Sequence, residues 1–161
     1  FMFSRTDSGV TAASGALRLA CALALAALPM LAFAADPLAG WNDNKPQSLQ
    51  SLKAPVRVVN LWATWCPPCL REMPLLEAAD QRDGVSVVVV NQGEDLLPIV
   101  RYLDEQQLVF RYALRDPRQL LMAEFAAPGL PTTVLFDAQG RTLDVHVGEL
   151  TRAHLERWLN D

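Results

Sequence analysis

The stretch LWATWCPPCLREM runs from Leu61 to Met73 and contains the point at which strand pattern gives way to helix pattern. Within it, Cys66 and Cys69 are three positions apart, a spacing that puts two side chains on one face of a helix and two sulfur atoms within disulfide reach. Cys66 would stand at the start of that helix, where unpaired N–H groups and the positive end of the helix dipole favour a thiolate. Because the thiolate is the form that attacks a disulfide, the spacing predicts a reversible dithiol/disulfide couple in which Cys66 attacks and Cys69 resolves.

The composition is that of an ordinary globular domain and argues against several classes of function. The chain has 161 residues, of which 51% are hydrophobic and 20% charged, enough for one domain with a sizeable core. Its net charge of −4 at pH 7 shows no basic excess, so nucleic acid is not an expected partner. Three cysteines are too few for a disulfide-rich scaffold.

Residues 1–34 have the pattern of a targeting segment rather than that of a folded domain. Arginines flank a polar start, and residues 19–33 are almost wholly apolar. Ala32-Phe33-Ala34 then fits a signal peptidase site, so we predict a signal peptide cleaved before Ala35 and export to the periplasm. An uncleaved membrane anchor is the alternative, although about 15 apolar residues are short for a span. Cys21 would be removed with the signal.

Two further segments follow the predicted cleavage site. Residues 35–55 carry proline, asparagine and serine with little periodicity and form a lead-in segment, with a short edge strand predicted near Ser48–Leu52. Residues 56–161 form the predicted domain.

The first half of that domain predicts a strand, a helix and a second strand. A β-branched, largely apolar run over 56–62 predicts a strand that is buried on most sides. The pair Pro67-Pro68 suits the first turn of a helix, where the missing N–H groups cost nothing. That helix is predicted to run to about Gln81 with a kink at Pro74, and 85–90 is predicted as the second buried strand.

The second half continues the alternation. A helix opened by residues 93–95 should be followed by a third strand over Leu108 to Leu114, and Asp116-Pro117 should cap a short helix. A hairpin is predicted within residues 132–147, and a closing helix from Thr151. The order βαβαβαββα predicts an α/β domain with a central sheet. The apolar face of the second helix is predicted to consist of Leu96, Val100, Leu103 and Gln107.

The segment from Trp62 to Cys69 resembles the active-site signature of the thioredoxin fold, and the resemblance continues to the end of the chain. Three details resemble the exported thiol-disulfide oxidoreductases of the TlpA and ResA type, a group that includes cytochrome c maturation reductases. Glu72 matches that group's glutamate three residues after the second cysteine, and Asn60 stands where thioredoxin has a buried aspartate. The third detail is Leu108–Ala126, which resembles the group's central insertion.

This resemblance implies a thioredoxin-like fold, with a central mixed sheet flanked by helices and a β-α insertion before a cis-proline loop. In that loop Pro131 would be cis and lie beside the cysteines. Such a turn leaves the backbone of Leu130 free to pair with an extended substrate segment as an added strand. Trp62 is predicted to be core, whereas Trp65 is expected to lie partly exposed beside Cys66. The predicted substrate-binding residues are Trp65, Pro67, Pro68, Leu130, Pro131 and Thr132.

Glu72 lies one helical turn beyond Cys69, which puts its carboxylate on the cysteine face. Beneath an apolar lid its pKa would be raised, and it could accept the Cys69 proton as that thiol attacks a mixed disulfide. The alternative is a solvated helix glutamate that pairs with a neighbouring arginine. The resemblance and the uncharged Asn60 favour the catalytic interpretation, so the predicted catalytic residues are Cys66, Cys69 and Glu72.

Other roles for the cysteine pair are less well supported. A structural bridge would close too small a loop to stabilise much. A zinc site would need two further ligands, and only His146 and His154 are available after residue 34. Copper binding would need a histidine over the cysteines, whereas His146 is predicted to face solvent or pack at an edge. No metal and no separate cofactor are predicted, since the redox group is the Cys66–Cys69 couple itself.

The predicted function is an exported thiol-disulfide oxidoreductase that reduces disulfides in client proteins. The resemblance implies apocytochrome c or a copper-site assembly protein as the client. Because exported compartments oxidise dithiols, a reductase there needs an electron donor such as a membrane thiol relay. A monomer is expected. Two alternatives stay open: an oxidase running the reaction in reverse, and a non-catalytic module that holds copper in the dithiol or docks a partner.

Overall fold

The computed structural model describes residues 38–40, 46–47, 49 and 56–160, which belong to one compact unit spanning Ala35–Asp161. The predicted signal peptide, its cleavage site and the alternative anchor lie outside the described residues. Among the residues that are described, no helix is both long and apolar enough to cross a membrane.

Strands and helices alternate along the described chain. The strands are β1 (Leu38–Gly40), β2 (Pro46–Gln47), β3 (Val56–Trp62), β4 (Val85–Gln92), β5 (Tyr112–Asp116), β6 (Thr132–Asp137) and β7 (Thr142–Val147). The helices are α1 (Pro67–Asp80), α2 (Leu96–Glu105), α3 (Leu120–Glu124) and α4 (Arg152–Asn160).

One mixed sheet contains all seven of the described strands, in the order β2-β1-β5-β4-β3-β6-β7. β3 lies inside this sheet, parallel to β4 and antiparallel to β6. β5 and α3 precede the cis-proline loop, as the predicted insertion requires. The predicted α/β class with a central mixed sheet is therefore confirmed.

The central strands are buried on both faces because both alternating sets of their side chains are apolar. One core contains Val87 and Val89 of β4 together with buried residues of α1, α2 and α4. The other core contains Val88 and Val90 together with Leu121 of α3. The sheet is therefore flanked by helices on both sides, which fixes the ends of its strands in place.

Helix α1 begins where its sequence predicts. Cys66 has an extended backbone, with φ −103° and ψ 96°, and Pro67-Pro68 fills the first two helical positions. Pro74 lies within α1 without ending it, and the helix closes at Asp80 with Gln81 as its C-cap. A kink at Pro74 stays a prediction. The cysteines are thereby placed just beyond the carboxyl end of the buried strand β3.

The position of β5 differs from the prediction. The strand starts at Tyr112 rather than Leu108. Gln107 adopts a left-handed conformation with φ 55°, and the Leu108 N–H donates to the carbonyl of Leu103 at 2.9 Å. The start of the predicted strand is therefore used to close α2, although its sequence alternates like a strand.

The buried face of α2 also differs from the prediction. Ile99 and Leu103 are its buried residues, one helical turn apart. Leu96 and Val100 are only half-buried, and Gln107 lies beyond the end of the helix and is exposed. The predicted face was therefore wrong by about one position, except at Leu103.

The lead-in segment contributes strands, but not at the predicted place. β1 pairs antiparallel with β5 through Ala39 and Arg115, and β2 pairs with β1. Within Ser48–Leu52, only Leu49 lies among the described residues, and it is not part of a strand. In the described chain this edge of the sheet is thus extended by β1 and β2.

The remaining predicted elements are confirmed. The N-cap of α3 is Gln119 rather than the predicted Asp116, but the Asp116 carboxylate still accepts a hydrogen bond from the Leu121 N–H in the first turn, at 2.8 Å. β6 and β7 form the predicted hairpin. Leu155 and Trp158 of α4 are buried against the sheet.

Candidate active site

Cys66 and Cys69 form a disulfide with their Cα atoms 5.3 Å apart. The predicted meeting of the two sulfur atoms is therefore confirmed. The Cys69 N–H points at the Cys66 sulfur, 3.3 Å away. When the bond is reduced, this N–H would stabilise a thiolate on Cys66, together with the positive end of the α1 dipole. Cys66 is 4% exposed and Cys69 fully buried, so Cys66 is the sulfur nearer to solvent.

Trp65 and the prolines form the accessible rim of this disulfide. Trp65 is 68% exposed, as predicted, while Pro67 is exposed and Pro68 half-buried. Trp62 is the opposite case, at 1% exposure, with its ring centroid 5.5 Å from that of Tyr102. The first tryptophan of the motif is therefore core, and the second is available to a partner.

Glu72 is buried in the first two turns of α1, with 1% of its surface exposed. Its Oε1 accepts from the Asn60 side-chain amide at 2.7 Å, and its Oε2 accepts from the backbone N–H of Leu150. Neither partner is charged. The interpretation of Glu72 as a solvated glutamate paired with an arginine is therefore wrong; the neighbouring Arg71 binds Glu149 instead, with 2.6 Å between the charged atoms.

Burial raises the pKa of Glu72 from an ordinary 4.5 to about 7. The hydrogen bonds from Leu150 and Asn60 act in the opposite direction, and the negative charge of Glu149 raises the pKa further. A carboxyl with a pKa near neutrality is half protonated there, so it can both accept and release a proton. Because Glu72 lies three residues after Cys69 on the same helix face, that proton can be the one on the Cys69 thiol.

The Leu130–Pro131 peptide bond is cis, as the resemblance implies. Pro131 is buried, its carbonyl accepts from the Gly148 N–H at 2.9 Å, and Leu130 is half-buried. Thr132 is fully buried, and its hydroxyl donates to the Gly129 carbonyl at 2.8 Å. The Thr132 hydroxyl is therefore used to shape the loop, whereas Leu130 retains partial exposure.

Glu94 is a residue of the site to which the sequence assigned no role. Its carboxylate accepts from the Thr64 N–H at 2.7 Å, from the Thr64 hydroxyl, and from the Asn91 amide at 2.6 Å. These bonds hold the loop directly before Cys66 against the end of β4. Residues 93–95 predict only the start of a helix, and nothing in the local sequence indicates that Glu94 binds Thr64.

His146 and His154 pack against each other at the edge of the sheet, with ring centroids 4.3 Å apart. The His146 Nε2 lies 3.1 Å from the Glu149 carbonyl oxygen, and this ring is half-exposed. The predicted edge position of His146 is confirmed. A search of the described residues finds no group of three or more His, Cys, Asp or Glu side chains arranged to hold a metal ion.

A family model for redoxins matches residues 28–159 of this sequence. The chain belongs to the redoxin family. This redoxin is 35% identical over 104 residues to thiol-disulfide oxidoreductase ResA of Geobacillus kaustophilus, covering 63% of the chain and 59% of that protein. It is 31% identical over 121 residues to ResA of Bacillus subtilis, covering 73% and 67% respectively. The redoxin therefore spans about three-fifths to two-thirds of the length of these relatives.

Solved structures agree with this family. The thioredoxin-related protein from Neisseria meningitidis serogroup B has 35% sequence identity and a TM-score of 0.64, covering 76% of this redoxin and 96% of that chain. StoA from Bacillus subtilis has 23% identity and a TM-score of 0.63, covering 76% and 94%, and shows the fold alone. The predicted thioredoxin-like fold and the likeness to the TlpA/ResA type are thus confirmed.

Proposed function

We propose that this redoxin is an exported thiol-disulfide oxidoreductase that reduces disulfides in client proteins. The observation that carries the proposal is the Cys66–Cys69 pair at the start of α1, beside a buried carboxyl that has no charged partner. The ResA relatives are named thiol-disulfide oxidoreductases, which supports the class of reaction. Among the alternatives, a purely structural disulfide is disfavoured, because it would not explain why the carboxyl of Glu72 is buried next to it.

The proposed reaction has two exchanges. The Cys66 thiolate attacks one sulfur of the client disulfide, so that a mixed disulfide forms and the other client sulfur leaves as a thiolate. Cys69 then transfers its thiol proton to the Glu72 carboxylate and attacks the Cys66 sulfur. The Cys66–Cys69 disulfide forms and the second client sulfur is released as a thiolate. The client has gained two electrons, and Glu72 afterwards returns its proton to solvent or to the departing thiolate.

The client would bind at the rim formed by Trp65, Pro67 and Pro68. An extended segment could pair with the backbone of Leu130 beside the cis peptide bond, as an added strand. The buried Thr132 hydroxyl would serve this surface only indirectly, by fixing the loop that carries Leu130 and Pro131.

The wider setting follows from the chemistry. In an oxidising compartment such as the periplasm, the disulfide must be reduced again after each cycle, which requires an electron donor such as a membrane thiol-disulfide relay. Apocytochrome c and copper-site assembly proteins are the proposed clients. The redox-active cysteine pair is the only redox group that this cycle needs, and a monomer is sufficient for it.

Trapping the client tests this function. In the full chain with Cys69→Ser, the Cys66 mixed disulfide cannot be resolved, so a client should stay covalently attached in the exported compartment. The double variant Cys66→Ser, Cys69→Ser is the control and should trap nothing. A single variant that traps no more than the double would contradict the enzyme and favour a docking or copper-binding module. Alkylation of the wild-type cysteines in cells gives the direction: a dithiol indicates a reductase and a disulfide an oxidase.

A further inference from the structure

The side-chain amide of Asn60 contacts Glu72 through its nitrogen, whereas its oxygen makes no hydrogen bond to the described residues. The residue is fully buried in β3, and its Nδ2 donates to Glu72 Oε1 at 2.7 Å and to the Thr133 hydroxyl oxygen at 3.0 Å. Its Oδ1 is also buried and has no hydrogen-bond partner among the described residues. The side-chain oxygens of Asn91 and Gln92 are likewise buried without a hydrogen-bond partner among the described residues, so the feature that sets Asn60 apart is its contact with the fully buried carboxyl of Glu72.

The two carboxyl oxygens of Glu72 face different groups, so a proton bound to one would have a different neighbour from a proton bound to the other. Oε2 faces the Leu150 backbone N–H, a donor that cannot become an acceptor. Oε1 faces the Asn60 side chain, which carries both a donor and an acceptor. A proton on the Oε1 lone pair that now accepts from Asn60 would face the amide N–H, whereas rotating the amide by half a turn would place Oδ1 there and Nδ2 where Oδ1 now lies. The Thr133 hydroxyl could then donate to the same Oδ1, because a hydroxyl group can act in both directions.

We propose that Asn60 is a positioning residue that reverses its side-chain amide each time Glu72 gains or loses a proton. One orientation donates to the carboxylate, and the reversed orientation accepts from the carboxylic acid on Oε1. Thr133 changes from acceptor to donor in the same step. The inference rests on the proposed role of Glu72, and it explains why an amide rather than a second carboxyl stands beside the proton acceptor.

The groups that titrate around Glu72 are few. Cys69 lies on the same helix, with Cys66 at its start, and Glu149 approaches from the segment before α4, paired with Arg71. β3 and β6 contribute Asn60 and Thr133, which do not titrate, while β7 places the imidazole-bearing His146 opposite Thr133, with its Nε2 3.1 Å from the Glu149 carbonyl oxygen. In the oxidised protein the cysteines are held in the disulfide, so Glu72 is the nearest group to Asn60 that can exchange a proton near neutral pH.

The side-chain amide of Asn60 can be followed by NMR in the oxidised full chain from pH 5 to pH 9. Its nitrogen and proton signals should shift with the same midpoint as the Glu72 carboxyl carbon, and the shift should disappear in Glu72→Gln. Gln92 is the matched control, since its side chain is also buried but its Nε2 donates to the Val90 carbonyl rather than to a carboxylate. An Asn60 amide that stays unchanged while Glu72 titrates would overturn the inference.

The variant Asn60→Leu distinguishes a side chain that both donates a hydrogen bond to Glu72 and accepts one from it from a side chain that only donates. A residue that only donates to the carboxylate would, on removal, lower the acid dissociation constant of Glu72 tenfold or more. A residue that serves both forms should leave that constant within tenfold, because each form loses one partner. A change of tenfold or more in Asn60→Leu would therefore contradict the proposal. If Asn60→Leu fails to fold, Thr133→Val can be used instead, because valine has nearly the same shape as threonine. This variant should reduce the pH-dependent change in the Asn60 amide signals without abolishing it.

Resolution of a preformed mixed disulfide distinguishes this inference from the proposed function. Glu72→Gln should slow the attack of Cys69 about 100-fold, and Asn60→Leu about tenfold. If Glu72→Gln resolves at the wild-type rate, the proposed role of Glu72 is wrong, and the role of Asn60 in the reaction is wrong with it. If Glu72→Gln is slow but Asn60→Leu is not, only the inference about Asn60 is overturned.

Discussion

Helix α1 carries two buried carboxylates with very different surroundings. Glu72 is 1% exposed and its hydrogen-bond donors, Asn60 and Leu150, are uncharged. Asp80 is fully buried at the other end of the helix, where its two oxygens accept from the N–H groups of Val87 and Arg111 at 2.9 and 2.8 Å. The Arg111 guanidinium also lies against it, with Nε 3.3 Å from Oδ1.

The difference shows that burial alone does not give a carboxyl a role in proton transfer. Asp80 ends a helix, where the dipole disfavours a negative charge, and the Arg111 guanidinium supplies the opposite charge. Among the described residues Glu72 has uncharged hydrogen-bond donors and no ion pair, so burial dominates and its pKa rises to about 7. One carboxylate therefore joins α1 to β4 and to the segment before β5, whereas the other remains free to exchange a proton.

The largest expected effect is on stability, at Asp80. Asp80→Asn should lower the free energy of unfolding by about 4 kcal/mol, because an amide cannot accept from both N–H groups and leaves Arg111 without its counter-charge. Urea denaturation of the oxidised protein measures this. Client reduction by the folded fraction should be unaffected. Equal destabilisation by Glu72→Gln at pH 5 would remove the contrast between the two carboxylates.

The next effect is a pH dependence that only Glu72 produces. Since its folded pKa is raised above the unfolded value, its contribution to stability is complete below about pH 4.5 and lost as pH rises through about 7. The loss should total about 3 kcal/mol. The wild-type protein should therefore lose this much relative to Glu72→Gln between pH 4.5 and pH 8, by denaturation at each pH. Parallel curves for the two proteins would contradict the raised pKa.

A third carboxylate, Glu94, extends the comparison to Cys66, the other cysteine of the pair. Glu94→Ala leaves the Thr64 N–H and hydroxyl without their acceptor and should cost about 2 kcal/mol of stability. Thr64→Val removes only the hydroxyl bond and should cost about 1 kcal/mol. Both should slow the first attack, by Cys66, more than the second, by Cys69, because the loosened loop precedes Cys66. Stopped-flow measurement of the two steps checks this, and equal slowing of both would show a general loss of structure.

The smallest effect concerns the charge next to Glu72. Glu149 raises the pKa of Glu72 through its negative charge, so Glu149→Gln should lower that pKa by a few tenths of a unit at low salt. The carboxyl carbon signal of Glu72 reports it directly. Arg71→Ala is the opposite control, because it leaves Glu149 without its partner and should raise the pKa of Glu72. Shifts in the same direction for both variants would show that charge is not the cause.

The sequence predicted the parts of this site that depend on neighbours along the chain. The β-branched run before Trp62 and the Pro67-Pro68 pair fix the end of β3 and the start of α1, and helical spacing puts Glu72 on the side of Cys69. These are local constraints, and they survive folding unchanged.

Long-range partners could not be predicted in the same way. Leu150, which binds Glu72, lies 78 residues further along the chain, and Arg111 lies 31 residues beyond Asp80. Nothing in the residues around Asp80 distinguishes it from a solvated helix carboxylate. The strand predicted from Leu108 failed for a local reason instead, because the Leu108 N–H closes the preceding helix on Leu103, five residues back, although the sequence there alternates like a strand.

The bond from Leu150 to Glu72 has a consequence for how the protein is made. Both sulfur atoms and Glu72 are synthesised together, but Glu72 acquires its second hydrogen-bond donor only from Leu150, 78 residues later. A nascent or prematurely terminated polypeptide could form the disulfide, yet its Glu72 would lack the donor that holds the carboxylate in place. If Glu72 takes part in thiol exchange as proposed, the exchange would reach its full rate only after the segment that carries Leu150 has been made and packed against α1.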